Sequence, residues 1–349
     1  MPRIKIASFN VEWMVNLFKR GQAAFWPDKS KSRGLGRKPK NVPVVCGRIA
    51  GVIKDMKADI IGIEEGPPQK QQMQLFVKDH LDDEYEVYSM PDGSQSNHAL
   101  VRKGLNLHIK QMPGSHPIYK HLSRKVEYYT WGEVKKARLD KFTRKPVVLR
   151  LTREGKSIEI MVFHTKSKIS RLKRKKQWTT RDKPVIVDAL RSRQKLSAEM
   201  AAIRRYLTHA VLSRRAAGCI LMGDLNDGPH RDVFEERFLI HNIVDELRGG
   251  FHRETALMHH GLPQDQLVGK NAFTAKFSDP TRDGKTVKVL LDHILVSDAL
   301  LDGSAPLRLV AGKGRIEHTV FEKHLKGSGR NADDRPSDHR PVSAVFSYT

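Results

Sequence analysis

From Ile4 to Phe346 the chain keeps returning to one phrase: an apolar run, short enough to be a buried strand, that ends on an acid, an amide or an imidazole. Ile-Lys-Ile-Ala-Ser-Phe-Asn10, Ile-Ile-Gly-Ile-Glu64-Glu65, Cys-Ile-Leu-Met-Gly-Asp224-Leu-Asn226-Asp227 and Val-Leu-Leu-Asp292-His293 follow this form, and Ser337-Asp338-His339-Arg340-Pro341 precedes the last run. Burying several carboxylates beside one another costs several kcal/mol unless a cation or a proton network compensates them. A fold that delivers acids repeatedly to strand ends is therefore assembling a site. Oxygen donors of this kind point to a divalent-metal phosphoesterase.

Strand-like runs occupy 4–11, 59–64, 85–89, 98–102, 105–112, 146–152, 158–163, 218–223, 289–296 and 341–347. Helical spacing marks 44–56 (Val45, Ile49, Val52, Ile53, Met56) and 189–212 (Leu190, Leu196, Met200, Ile203, Leu207, Val211, Leu212). Several strands follow one another through 98–163 with no helix between them, which calls for antiparallel hairpins. The expected fold class is α+β: two packed, mixed and largely antiparallel sheets flanked by helices. No Pro/Gly/Ser linker or fixed-period repeat divides the chain, so residues 1–349 are expected to form a single domain.

Sixty-three Lys and Arg against 39 Asp and Glu leave a formal charge of +24, which attracts polyanions, nucleic acid first among them. Two basic segments interrupt the pattern as insertions. Residues 19–40 hold Lys19, Arg20, Lys29, Lys31, Arg33, Arg37, Lys38 and Lys40 with Asp28 as the one acid; 166–181 hold Lys166, Lys168, Arg171, Lys173, Arg174, Lys175, Lys176 and Arg181 with none. Both read as partly disordered loops. Trp26 and Trp178 within them either stack on bases or pin the loops to the body. A looser loop, mixed in charge and rich in Gly, spans 312–336. The only cysteines, Cys46 and Cys219, imply no disulfide framework. With a strand-like run beginning at Ile4 and no apolar stretch of ~20 residues, a soluble cytoplasmic protein without membrane insertion is expected.

Taken in order, the phrases resemble the endonuclease/exonuclease/phosphatase superfamily, whose members include exonuclease III-type repair enzymes, pancreatic-type deoxyribonucleases and neutral sphingomyelinases. The resemblance runs from Ser8-Phe-Asn10 to Ser337-Asp338-His339. It implies a deoxyribonuclease-I-like four-layer sandwich with the site at the strand ends. It also implies Mg²⁺ or Mn²⁺ on Glu65, with Asn10 beside it and Asp338 completing the shell or positioning its waters. The glutamine usual before that glutamate is Glu64 here, which either adds negative charge near the metal or faces solvent.

Alternation along an extended backbone projects Asp224 and Asn226 to one side, the first to activate water and the second to donate to a phosphate oxygen. A calcium loop is disfavoured, because Pro229 stands where its turn glycine belongs. The resemblance assigns His339 to the scissile phosphate with Asp292 orienting it, and His293 to packing. His164 resembles the deoxyribonuclease and sphingomyelinase branches more than exonuclease III, where tyrosine is usual. Arg144, Lys166, Lys168 and the run Lys173, Arg174, Lys175, Lys176 are candidates for gripping substrate phosphates. The remaining histidines, including His108, His116, His121, His209, His230, His259 and His260, read as ordinary polar residues.

The sequence thus points to a metal-dependent nuclease acting on DNA or RNA. Two alternatives stand beside it: a phosphatase or phosphodiesterase acting on a phosphoinositide, sphingomyelin-like lipid or small phosphoester, and a nucleic-acid-binding protein with a vestigial site.

Overall fold

Strand parity organises the molecule. Alternate residues of a strand point to opposite faces, and along β1 (Arg3–Asn10) this separates Ile4, Ile6, Ser8 and Asn10 from Ala7 and Phe9. The computed structural model describes residues 2–27, 36–91, 93–130, 135–212, 216–229, 231–238, 244–248 and 258–349. Asp28, Lys29, Lys31 and Arg33 of the first basic segment lie outside the described residues, as does His230.

One sheet is built from β1, β2 (Ile60–Gly66), β3 (Tyr85–Met90), β4 (Ser96–Arg102), β15 (Leu307–Leu309), β16 (Arg315–Ile316) and β17 (Val342–Tyr348). Its order is β15-β17-β1-β2-β4-β3, with β16 also pairing β17. The second sheet contains β5 (His108–Gln111), β8 (Val147–Arg153), β9 (Lys156–His164), β10 (Gly218–Asp224), β11 (His259–His260) and β14 (Asp292–Val296), in the order β11-β14-β10-β9-β8-β5. β1–β2 and β9–β10 are parallel and the other pairs antiparallel. Two ribbons, β6 (Val126–Tyr128) with β7 (Arg138–Asp140) and β12 (Ala275–Asp279) with β13 (Lys285–Val289), stand apart from both sheets.

Between the sheets lies an apolar layer that includes Ile4, Ile6, Ile160, Val162, Ile220, Met222, Ile294 and Val342. The opposite faces are covered by helices. α1 (Val42–Met56) is capped by the Asn41 side chain on Val44 N and packs Val45, Ile49 and Ile53 against Ala7, Phe9 and Ile61. α2 (Lys70–His80) adds Met73, Phe76 and Val77 to the same cluster. α3 (Pro117–Ser123) and the 30-residue α5 (Lys183–Leu212) cover Met161, Cys219 and Leu221 with Ile118, Leu196, Met200 and Ile203. The result is the expected two-sheet sandwich with outer helices. No described helix is long and apolar enough to cross a membrane.

Several boundaries differ from the sequence reading. The 289–296 run is two strands, β13 and β14, broken at Leu290-Leu291, because Leu291 N and Asp292 N both turn to the Thr274 hydroxyl. The 166–181 segment includes a short helix, α4 (Lys175–Thr179), and 312–336 contains β16 and a helix at His318–Lys323. Trp178 lies edge-on to Phe234 at 5.1 Å with Arg181 over its other side, and Trp26 packs against the α1 cluster, so both pin their segments to the body.

Candidate active site

Parity and register together create the cluster. On the inter-sheet face, apolar sequences end in polar residues: Ile4-Ile6 gives way to Ser8 and Asn10, Ile160-Val162 to His164, and Ile220-Met222 to Asp224, while β14 begins with Asp292 before Ile294. Register sets Asp224 opposite both His164 and Asp292, and Asn10 opposite Glu64. Gly223, at φ 140°, makes the first alignment possible: a Cβ there would lie 1.8 Å from the Phe163 carbonyl oxygen. Glu65 breaks parity. Its φ of 56° and the β-bulge between Ile63 and Gly66 turn it toward the site.

Asn10 sits at the centre. Its Nδ2 donates to Asp224 Oδ2 at 3.0 Å and to Glu65 Oε1 at 3.4 Å. Glu65 Oε2 accepts from Trp13 N at 2.8 Å and from Gln95 Nε2 at 2.9 Å. Ser337 Oγ donates to the Asn10 carbonyl at 2.6 Å and accepts from His339 N at 3.0 Å, joining the last loop to the first strand. His339 Nδ1 lies 2.8 Å from Asp292 Oδ2, and its Nε2 is 3.9 Å from Asp224 Oδ2. His164 Nε2 is 3.6 Å from that same oxygen and 3.9 Å from Glu65 Oε1.

The two histidines carry opposite charge states. Burial alone would lower His339, but the Asp292 and Asp224 carboxylates outweigh it and hold the imidazole well above its ordinary value. His164, equally buried and next to the cations of Arg144 and Lys166, is held well below. Burial pushes Asp224 up to about 7. Burial, then the Asp292 charge, holds Glu64 well above the carboxylate range, and Glu64 Oε2 and Asp292 Oδ1 are both buried without a hydrogen-bond partner. Glu64 is therefore fully buried rather than solvent-facing. Held neutral beside Asp292, it is a carboxylic acid with an O–H to donate, as a glutamine would donate an N–H.

Oxygens of Asp224 and Asp292 and a nitrogen of His339 lie within 4.8 Å of one another. As they stand they form a poor cation shell, because a protonated imidazole offers no lone pair. The chemistry of Glu65 fits a cation better: burial and the nearby charge of exposed Asp338 both raise it. Those carboxylates are the hard donors that Mg²⁺ or Mn²⁺ prefers, whereas the Asn10 amide turns its nitrogen to Glu65 and its oxygen to Glu12 N at 3.0 Å.

Asn226 departs from the extended geometry expected for it. β10 ends at Asp224, whose Oδ1 accepts from Asn226 N at 2.8 Å, and Asn226 takes φ 50°. Its Nδ2 donates to the Thr165 carbonyl at 3.1 Å. Arg144 reaches the same carbonyl at 3.0 Å and Gln95 Oε1 at 3.3 Å. Lys166, whose backbone N is held by Glu199 at 2.6 Å, points its Nζ to Ser167 O at 2.7 Å. Lys168 is already bound to two carboxylates, Asp227 and Glu235, inside the fold. Lys173, Arg174, Lys175 and Lys176 are exposed, and of these Lys173, Arg174 and Lys175 line a cleft of about 880 Å³ that reaches Asn226, Asp338 and His339. His293 is buried with Nε2 on the Asp227 carbonyl at 2.8 Å.

The profile of the endonuclease/exonuclease/phosphatase family matches residues 8–339. The chain belongs to that family. Its fold is phosphodiesterase- and nuclease-like, and it is similar to solved structures of low sequence identity. The crystal structure of TDP2 from C. elegans is 15% identical, with a TM-score of 0.50 over 99% of this chain and 75% of that one. The crystal structure of D. rerio TDP2 complexed with single strand DNA product is 13% identical (TM-score 0.48, 99% of each chain). The human Nocturnin catalytic domain with bound sulfate is also 13% identical (TM-score 0.45, 99% and 95%). Of these likenesses the first bears on fold alone. No curated protein matches the sequence.

Within this family member, sequence reasoning missed Gln95, Ser337 and the clamp around Glu12. Glu12 is gripped by Arg335, and Arg37 lies 3.7 Å from it while donating to the carbonyls of Ala332, Arg335 and Pro336. Ser337 was adjacent to a recognised motif and legible there; Gln95, in a polar turn, carried no signal.

Proposed function

We propose that this family member is a divalent-metal-dependent nuclease that hydrolyses phosphodiester bonds of DNA or RNA by attack of an activated water. The observation that supports it best is the meeting of Asn10, Glu65, His164, Asp224, Asp292 and His339, drawn from both sheets, in one buried cluster whose His339 opens onto a cleft also lined by exposed Lys173, Arg174 and Lys175. Because each sheet supplies part of this set, we read residues 1–349 as one catalytic domain.

A cation held by Glu65 and Asp338, with Asn10 beside it, would supply charge neutralisation at a non-bridging phosphate oxygen. The chain's own groups account for the rest. Asp224, with its carboxyl near 7 and oriented by Asn10, takes the proton of the attacking water. His339, protonated and fixed through Nδ1 by Asp292, offers Nε2–H to the charge that develops on phosphate. Asn226 keeps its turn through Thr165 and has a second amide hydrogen for a phosphate oxygen. Neutral His164 donates or accepts beside Asp224 without adding charge.

Incubating purified protein with plasmid and single-stranded DNA, in Mg²⁺ or EDTA, tests this reading. Cleavage in Mg²⁺ alone, abolished in Asp224→Ala, is expected; no metal-dependent cleavage, or equal cleavage by the variant, overturns it. The apolar wall of the cleft favours a second reading, the same chemistry on a lipid phosphodiester. Competition between DNA and sphingomyelin or phosphoinositide vesicles in one assay separates the two.

A further inference from the structure

The ribbon β12–β13 is tied directly to the site: the backbone of Ala275 bridges that of His339. Two residues on, and on the same face, Phe277 stands roughly 7 Å farther along the strand. Ala275 pairs across the ribbon with Val289 and Phe277 with Val287, so this face presents an apolar strip to the cleft. Leu172 and Phe234 form part of the facing wall. Phe277 is 47% exposed and belongs to none of the buried clusters, which leaves a large aromatic ring half in water beside the reaction centre. On the rim, Lys175 has Asp283 at 2.6 Å, whereas exposed Lys173 and Arg174 have no carboxylate partner among the described residues.

We infer that Phe277 is a substrate-binding residue that stacks on the nucleobase next to the scissile phosphate, and that the preferred substrate is therefore a single-stranded or splayed segment. The inference rests on the nuclease reading and adds the form of the substrate to it. Charge complementarity selects the occupant: a cationic rim above an apolar, aromatic strip fits a molecule that alternates phosphates with planar rings. Stacking of this kind tolerates any base, because every base has a π-face. A paired duplex hides those faces, and only an unpaired base can offer one.

The experiment compares wild type, Phe277→Ala and Phe277→Trp. Binding in EDTA is read with single-stranded DNA carrying 2-aminopurine and with a base-free tetrahydrofuran oligomer of equal length; cleavage of the DNA is read in Mg²⁺. Phe277→Ala should weaken the base-bearing strand about 10-fold and raise KM for it, with a much smaller effect on the base-free strand. Phe277→Trp should restore binding and quench 2-aminopurine. Equal losses on both strands, no loss on either, or, with the same variants in the vesicle competition assay, a loss confined to sphingomyelin vesicles overturns the inference. Absence of metal-dependent cleavage in every variant, with base-selective binding intact, would instead remove the nuclease reading and leave Phe277 as a base-stacking site.

Discussion

The floor, which is the buried cluster reached through His339, and the rim of the cleft handle charge in opposite ways. On the floor, Glu64, Asp224, Asp292 and His339 are at most 9% exposed, so their interactions are little screened and the protons they share respond strongly to pH. On the rim, Lys173 to Lys176 are exposed, and salt screens them over roughly 8–10 Å. The floor should therefore set rate and pH dependence, and the rim capture and salt dependence. The segment around Arg37, basic in sequence like the rim, belongs with the floor: Arg37 is 4% exposed and holds backbone carbonyls instead of awaiting a phosphate.

The sharpest separation comes from Asp224→Asn. Removing the general base should lower kcat by about 10³-fold while affinity for DNA in EDTA does not fall; a parallel loss of affinity would mean that floor and rim are not distinct. Next, Arg37→Met should cost about 1–3 kcal/mol in urea unfolding, since it leaves three buried carbonyls without their donor while Glu12 keeps Arg335. Exposed Lys40→Ala, from the same basic segment, should stay within about 0.5 kcal/mol. Equal costs would place both residues on a common surface.

The floor also makes a prediction about pH. Glu64, Glu65 and Asp224 are raised when folded, and so is His339. For each, the folded state holds its proton more tightly, so stability is greatest at low pH and is lost as pH rises through the folded value. In EDTA, the Tm of wild type relative to Asp224→Asn should fall between about pH 5 and 8, most steeply toward the Asp224 value near 7. The opposite trend of the histidines that burial lowers, among them His98, His164, His260 and His293, is common to both. Mg²⁺ should raise Tm more at the upper end, and Asp224→Asn should flatten the slope. A difference that stays level or rises over this window would show the Asp224 carboxylate to be compensated already.

At the rim, neutralising Lys173, Arg174, Lys175 and Lys176 together should flatten the salt dependence of DNA binding by up to about one log–log unit per lost phosphate contact; an unchanged slope would make the run solubilising surface. The smallest effect is expected for Glu64→Gln. An amide keeps a donor beside Asp292 without needing a bound proton, so activity at neutral pH should remain within a few-fold of wild type and extend to higher pH. A collapse of activity would show that Glu64 acts as a charge.

Much of this was legible in the sequence because strand chemistry is local. A buried strand needs a β-rich apolar run, and its alternation already indicates which end residue shares a face with the core, so Asn10, Asp224 and Asp292 could be named from their phrases. Helix α1 was equally readable from its spacing, whereas α2, with Gln or Lys at five of its 11 positions, was not.

Tertiary structure decided the rest, since partners far apart in sequence fix protonation, burial and aim. Nothing near Glu64 in the chain says that Asp292 will lie beside it, and a one-residue bulge, invisible to pattern, turns Glu65 inward. Lys168 and Lys173 are alike as letters; only the approach of Asp227 and Glu235 makes the first an internal ion pair and leaves the second at the cleft mouth. Residue type fixes what a side chain can do, but charge state and direction depend on the low-dielectric neighbours that folding brings together.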